Sequence, residues 1–418
     1  MEQLYITNVT IEKVRHLKDI SIPLADDRIR HLILTGKNGS GKTSVVESLA
    51  EYLNNAYNDE YFMVRKEWLK IDKRKRDQAI KEGADESEIL KLEKEMHHTK
   101  EDLERSRVGL ELQFNKETGS IHALKDKYHY ILAFYRADRI FKAEQPKHVE
   151  KIQLRDDYGM QEFPRNEFVK YLLDLKMTEA LASNNGNSEK ADEIREWFDK
   201  LEELMKEVFA DDTVQLVFDE DSFQFHILQQ GKEPFDFNTL SSGYQAVFDI
   251  VLDVIMRMQN QTKRSFDFNL PGIVLIDEIE THLHLALQKN IMSLLTTIFP
   301  NIQFIVTSHS PFILNSLENA VIYDLENHTL VRDGLDDVPY DGIVEGYFGA
   351  DKLSAKLRAK FERYKNLVQK EKLSDDEISE TAGLELYLDE VPDYLALDIA
   401  TEYQKLKLEF MNREDIDG

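Results

Sequence analysis

Three features of the chain predict an α/β fold built on a mostly parallel sheet. The glycine-rich segment at residues 36–43, Gly-Lys-Asn-Gly-Ser-Gly-Lys-Thr, stands between an apolar run at 31–35 and a helical pattern reaching about Asn55. That is the strand, loop and helix context of a phosphate loop. The runs at 272–276 and 302–306 are short and nearly continuously apolar, the signature of strands buried on both faces of a parallel sheet. Each run ends in residues able to do chemistry: Asp277 and Glu278 after the first, Ser308 and His309 after the second.

In chain order, residues 4–11 and 18–24 read as β-rich stretches leading to the phosphate loop. Within that loop, the glycines let backbone N–H groups converge on phosphate oxygens at a helix N-terminus. Asn38, Gly39, Ser40, Gly41, Lys42, Thr43 and Ser44 form the expected nucleotide cradle. Lys42 brings positive charge to the β- and γ-phosphates, and the Thr43 hydroxyl is placed to ligate Mg²⁺. The expected ligands are therefore ATP and Mg²⁺.

Residues 61–107 change character. They are dense in Lys, Arg and Glu, with Gly83 midway and Ile89, Leu92, Met96 and Leu103 at helical spacings. Asp85 with Glu88 has the spacing of an N-cap pair. The pattern predicts an inserted helical hairpin. Its basic tract at 70–76 reads either as a solvated helix face laced with i,i+4 ion pairs or as a nucleic-acid patch.

Strand patterns return at 108–114 and 128–135. Residues 164–209 read as a helical subdomain, with the apolar stripe Ile194, Trp197, Phe198, Leu201, Leu204, Met205 and Val208 and a polar loop at 183–188. A hairpin is expected from 214–218 and 223–227. Beyond the strand at 321–325 the sheet signals fade. Residues 351–372 look like a basic helix, and 374–418 are acidic and partly amphipathic.

Composition narrows the function classes. The chain has 418 residues, enough for one large domain with insertions or for two domains, and its hydrophobic content of 42 % supports a substantial core. It has no cysteine, which excludes disulfides, thiolate metal sites and cysteine nucleophiles. No apolar run has the length of a membrane span and the N-terminus lacks a signal-peptide pattern, so no membrane partner and a cytoplasmic location are expected. The formal net charge is −26. A surface of that sign repels nucleic acid, leaving local basic patches as the only places for such contact. The charge serves either solubility or docking of a basic protein partner.

The second half of the site lies far downstream. At the end of a strand, one carboxylate of Asp277-Glu278 can hold Mg²⁺ and the next can polarise water; Asp277 takes the first role and Glu278 the second. Thr239-Leu240-Ser241-Ser242-Gly243 joins a small polar turn to an amphipathic pattern. It reads as an ordinary N-cap or as another phosphate-binding helix start through Ser241, Ser242 and Gly243. A lone histidine is usually structural, but His309, just past a buried strand beside the two already assigned, can reach a γ-phosphate. His282 and His284 lack a third or fourth ligand for zinc.

Together these residues resemble an ABC-type ATPase head of the group containing Rad50, SMC, RecF and OLD proteins, over residues 1 to about 350. The resemblance implies an ABC-ATPase head with a mixed or parallel sheet, in which Leu240-Ser241-Ser242-Gly243 is the signature motif and His309 the switch histidine. It implies that Ser242 and Gly243 of one subunit cap the γ-phosphate held by another, so that the active species is an ATP-sandwiched homodimer or a higher homo-oligomer. Two departures stand out. Tyr244 replaces a frequent Gly or Glu, and Arg136, Asp138 and Arg139 stand where the family's Q-loop glutamine is expected, which points to slow or regulated hydrolysis.

A second resemblance is to the compact ATPases of bacterial anti-phage systems, the PtuA family of Septu and its retron-associated forms. It rests on residues 240–244, on Glu280-Thr281-His282-Leu283-His284, on the short hairpin and on the segment at 342–349. It implies a separately encoded HNH-type nuclease partner (PtuB-like), with residues 351–418 as part of the docking region. A RecF- or SMC-like repair ATPase gripping duplex DNA is the alternative.

Overall fold

The computed structural model describes residues 3–25, 27–105, 107–116, 120–125, 130–139, 141–332, 334–335, 338, 343, 355–370, 372–389 and 397–411. It divides into two compact units, Met1–Asp337 and Val338–Gly418.

Among the described residues the first unit holds three sheets. The strands are β1 (Ile6–Val14), β2 (Leu17–Pro23), β3 (His31–Thr35), β4 (Leu110–Phe114), β5 (Ile131–Tyr135), β6 (Gln215–Asp219), β7 (Gln224–Leu228), β8 (Gly272–Ile276), β9 (Ile302–Thr307), β10 (Ala320–Asp324) and β11 (Thr329–Val331). The central sheet has the order β11-β10-β3-β9-β8-β5. All its pairings are parallel except β10 with β11. Every residue of β3, β5, β8, β9 and β10 is buried, which is why these strands read as nearly continuous apolar runs rather than alternating ones. The edge strand β11 was not expected: with three residues and partial exposure it offers no period to read.

A second, antiparallel sheet has the order β2-β1-β4. Gln303 ties it to the central sheet. Its fully buried amide accepts from Ile6 N at 2.8 Å and donates to Ile6 O at 2.9 Å. The hairpin β6-β7 forms the third sheet.

The helices are α1 (Lys42–Asn58), α2 (Arg65–Glu82), α3 (Glu86–Arg105), α4 (Ser120–Lys125), α5 (Phe168–Asn184), α6 (Ser188–Phe209), α7 (Ser242–Met258), α8 (Leu285–Ile298) and α9 (Pro311–Leu314) in the first unit. Helices α2 and α3 form the hairpin between β3 and β4. Gly83 ends α2 at φ 74°, in the left-handed region that favours glycine, and Asp85 Oδ1 caps α3 by accepting from Glu88 N at 2.8 Å. Two cations of the basic tract are paired, Lys70 with Glu67 and Arg76 with Asp77. Lys73, Arg74 and Lys75 stay exposed, beside the exposed side chains of Trp68 and Ile71.

The second unit contains α10 (Ala355–Val368), α11 (Asp375–Asp389) and α12 (Leu397–Met411). They share a small core of Phe361, Tyr364, Val368, Leu388, Tyr403 and Leu406. The basic residues of α10 are partly spent internally, Arg363 on Glu380 and Lys365 on Glu402. The segment 342–349, which contributed to the second resemblance, lies outside the described residues except for Ile343.

His31 opens β3 as a buried neutral imidazole. Its Nδ1 accepts from Phe304 N at 3.0 Å, and burial pushes its pKa down to about 4. Above pH 6.5 folded and unfolded chains bind the same proton number at this site. Between pH 6.5 and about 4 the unfolded chain takes up a proton that the fold refuses, so stability falls on acidification by roughly 3 kcal/mol from this group. His31→Gln keeps an acceptor without the titration. Its unfolding midpoint, followed against pH, is expected to decline less between pH 6.5 and 4.5 than that of the parent chain. Parallel declines would contradict the assignment.

Candidate active site

The parallel pairing of β10, β3, β9 and β8 brings their carboxyl ends side by side, where open α/β sheets bind ligands. The phosphate loop follows β3, Asp277 and Glu278 follow β8, Ser308 and His309 follow β9, and Asp324 ends β10. Residues far apart in sequence therefore meet along one edge of the sheet.

The phosphate loop has the backbone its glycines predict. Gly36, Gly39 and Gly41 adopt φ of 130°, 86° and 100°, and Gly41 is the left-handed N-cap of α1. Lys42, only 6 % exposed, curls over the loop and donates from Nζ to Gly36 O at 2.8 Å and Lys37 O at 3.2 Å. Burial lowers its pKa, while Glu278, Glu280, Asp277 and Asp324 pull it back up. Ser44 is buried, whereas Asn38, Gly39 and Thr43 are exposed.

Thr307 organises the carboxylate pair. Its Oγ1 donates to Asp277 Oδ1 at 2.6 Å and accepts from Glu278 N at 2.7 Å. Glu278 itself sits at φ 46°, a left-handed conformation that costs a bulky residue free energy and persists where its surroundings fix it. Thr281 Oγ1 donates to Glu278 Oε2 at 3.3 Å. His309 N donates to Glu280 Oε1 at 2.6 Å, and burial, with Lys42 second, lowers the imidazole pKa. Glu280, placed by sequence only in a loop, is thus a buttress for His309.

These residues fit a magnesium nucleotide. Among the described residues, Thr35 Oγ1, Ser40 Oγ, Glu280 Oε2 and His309 Nε2 are buried without a hydrogen-bond partner, a gathering that a native site tolerates only for a purpose. Thr43 and Asp277 supply the hard oxygen donors that Mg²⁺ prefers.

The predicted signature segment opens α7 beside the loop after β8. Ser241 is the N-cap of α7, but its hydroxyl makes no capping bond, and both Ser241 and Ser242 are exposed. The ordinary N-cap reading therefore fails for its side chain. Gly243 is buried against the loop after β8: a β-carbon there would lie 3.3 Å from His282 O, so the helix start rests on backbone. His284 caps α8, its Nδ1 accepting from Leu287 N at 3.3 Å. Tyr244 packs against Phe209, ring centroids 4.4 Å apart. Among the described residues no hydrogen bond joins Ser241 or Ser242 to the chain's own phosphate loop.

Sequence reading missed a buried ionic network along α7. Arg257 Nε donates to Asp253 Oδ2 at 2.7 Å, Tyr135 Oη donates to the same oxygen at 2.7 Å, and Arg165 Nε lies 2.5 Å from Asp249 Oδ1. Both aspartates are fully buried, and burial pushes Asp249 up to about 6. The signal was present: Asp249, Asp253 and Arg257 are the only charged residues of a helix otherwise apolar from Ala246 to Met258, four residues apart.

Comparison with known proteins agrees with this geometry. Residues 4–153 match the family described as "AAA ATPase domain", and residues 115–315 the family described as "AAA domain, putative AbiEii toxin, Type IV TA system". The chain is 25 % identical to "Septu protein PtuA" of Bacillus mycoides, over 99 % of this chain and 56 % of that protein. It is 30 % identical to "Retron Ec83 probable ATPase" of Escherichia coli over 39 % of this chain and 29 % of that one. The chain thus spans about half the length of the first relative, and its match covers less than a third of the second. Likeness to solved Smc heads is loose: one bound to the C-terminal domain of ScpA, from Pyrococcus furiosus, gives TM-score 0.37 at 14 % identity, over 82 % of this chain and all of that one. With its phosphate loop and strand-end carboxylates on one α/β scaffold, the chain carries an ATPase domain, similar over residues 4–153 to the AAA ATPase domain family and along its length to Septu PtuA.

Proposed function

We propose that the chain is the ATP-binding and ATP-hydrolysing subunit of a bacterial anti-phage defence complex, that it works as an ATP-sandwiched dimer, and that it assembles with and regulates a separate HNH-type nuclease. The observation that carries the dimer is the start of α7: Ser241 and Ser242 are exposed and the Ser241 hydroxyl makes no capping bond, so both face out toward a second subunit's nucleotide. Similarity to Septu PtuA over 99 % of the chain supports the defence role.

In this reading Lys42 and the loop amides hold the β- and γ-phosphates. Thr43 and Asp277 hold Mg²⁺, which when bound neutralises the charge on those phosphates. Glu278 accepts a proton from the attacking water, His309 donates from Nε2 to the γ-phosphate, and Ser242 and Gly243 of the partner subunit close the other side. The second unit, with Leu386, Leu408 and Met411 exposed, is the part assigned to nuclease docking.

Light scattering of the chain with and without ATP tests the sandwich. ATP is expected to double the mass of the parent chain, and Ser242→Arg to abolish the doubling while monomer affinity for ATP stays the same. Dimers that survive Ser242→Arg would refute the model. Co-purification with the product of a neighbouring nuclease gene tests the complex. A chain that ignores that product but dimerises on duplex DNA in a salt-sensitive way would instead support the repair-type reading, with Lys73, Arg74 and Lys75 as the contact.

A further inference from the structure

Arg139 stands just past β5, where the sequence departs from the family's glutamine. It is 6 % exposed; its two terminal nitrogens are spent on backbone carbonyls, while Nε is buried without a hydrogen-bond partner. Nη1 donates to Asp277 O at 3.0 Å and Arg136 O at 3.2 Å, while Nη2 donates to Ile279 O at 2.9 Å and Glu278 O at 3.3 Å. One planar fork thus gathers the carbonyls of three consecutive residues, the middle one being Glu278.

Three consecutive carbonyls do not point to one place in an extended strand, where successive groups alternate. They converge here because Glu278 is left-handed, at φ 46°. The same turn is held from its amide side by Thr307 Oγ1 on Glu278 N. Strand pairing fixes the distance, since Tyr135 pairs with Ile276 and Asp277 N donates to Tyr135 O at 2.8 Å. A buried guanidinium is costly: burial lowers the Arg139 pKa, and Asp249 of α7, with Glu280, Asp277 and Glu278, offsets part of that cost. A lysine has no planar fork and cannot serve all these acceptors in one geometry.

We propose that Arg139 is the positioning residue for Glu278, holding the left-handed turn that aims its carboxylate at the attacking water. The proposal rests on Glu278 being the hydrolytic glutamate. Because its bonds go to backbone carbonyls, Arg139 acts through the backbone of the residue that does the chemistry.

A double-mutant cycle in the full chain tests it, with single-turnover hydrolysis of Mg·ATP for rate and fluorescent ATP-analogue titration for affinity. A displacement of ~1 Å in a reacting group costs on the order of 10²-fold, so Arg139→Lys is expected to lower the rate by about 10- to 100-fold while affinity changes by less than about threefold. In the Glu278→Gln background the same substitution is expected to cost nothing more, because the group it positions is gone. An equal loss in both backgrounds, or a loss of ATP affinity matching the loss of rate, would show a merely structural role and overturn the proposal. Glu278→Gln with an unchanged rate would overturn the assignment of Glu278 itself and this proposal with it. Where thermal melting shows Arg139→Lys unfolded, Arg139→Gln, which keeps two N–H donors, is read by the same criteria.

Discussion

Lys42→Ala is expected to abolish nucleotide binding, with affinity reduced on the order of 10²-fold or more. The Nζ group is the cation at the centre of the loop, held over Gly36 O and Lys37 O. Four carboxylates act on it: Glu278, Glu280, Asp277 and Asp324. Removing the lysine leaves those acids facing a polyanionic ligand with no compensating charge. Breaking a buried charge pair costs about 3–5 kcal/mol, and each 1.4 kcal/mol is tenfold in affinity. The loss of charge weighs more than the loss of the loop bonds, because Gly36 O and Lys37 O can turn to water in a loop that is partly exposed. The substituted chain is therefore expected to fold while failing to bind. Calorimetric titration with ATP at matched pH checks this, and affinity within tenfold of the parent chain would remove Lys42 from its assigned role.

The parts of the site that could be read from sequence share a physical cause. Strands β3, β8, β9 and β10 are buried on both faces, so little polar interrupts them beyond the hydrogen-bonded His31 at the start of β3 and Gln303 within β9, and polar residues at their carboxyl ends belong to the site. That rule finds Asp277 and Glu278 and points to His309, while Lys42 comes from the glycine-rich phosphate-loop pattern that follows β3. What escaped has causes of its own. Arg139 acts on carbonyl oxygens, which every residue carries and no sequence distinguishes. Glu280 works through its bond to His309 N, a pairing across two strands that spacing does not encode. Strand β11 is too short for a period. Asp249 and Asp253 were readable in principle, because charges four apart on an otherwise apolar helix demand buried partners. Their partners Arg165 and Tyr135 come from separate segments, which only the fold brings to α7.

Glu278→Gln is expected to keep ATP bound while slowing its hydrolysis by ~10²–10⁴-fold, the contribution typical of a positioned general base. The substitution preserves shape and both positions held by Thr281 Oγ1 and Thr307 Oγ1, since the first contact needs only an oxygen and the second is to the backbone. It removes the basic oxygen pair that takes a proton from water. Affinity depends instead on Lys42 and the loop amides, which the change does not touch, so rate and binding separate. If the chain forms the proposed ATP sandwich, slowed hydrolysis is also expected to prolong the dimer, because the γ-phosphate proposed to bridge the subunits persists. Two measurements on one preparation therefore speak together: phosphate release, expected to fall by at least two decades, and dimer lifetime in ATP, expected to lengthen in proportion. Turnover equal to the parent chain would take Glu278 out of the chemistry. Slowed turnover with an unchanged dimer lifetime would separate hydrolysis from disassembly, and ATP would then act on assembly through binding alone.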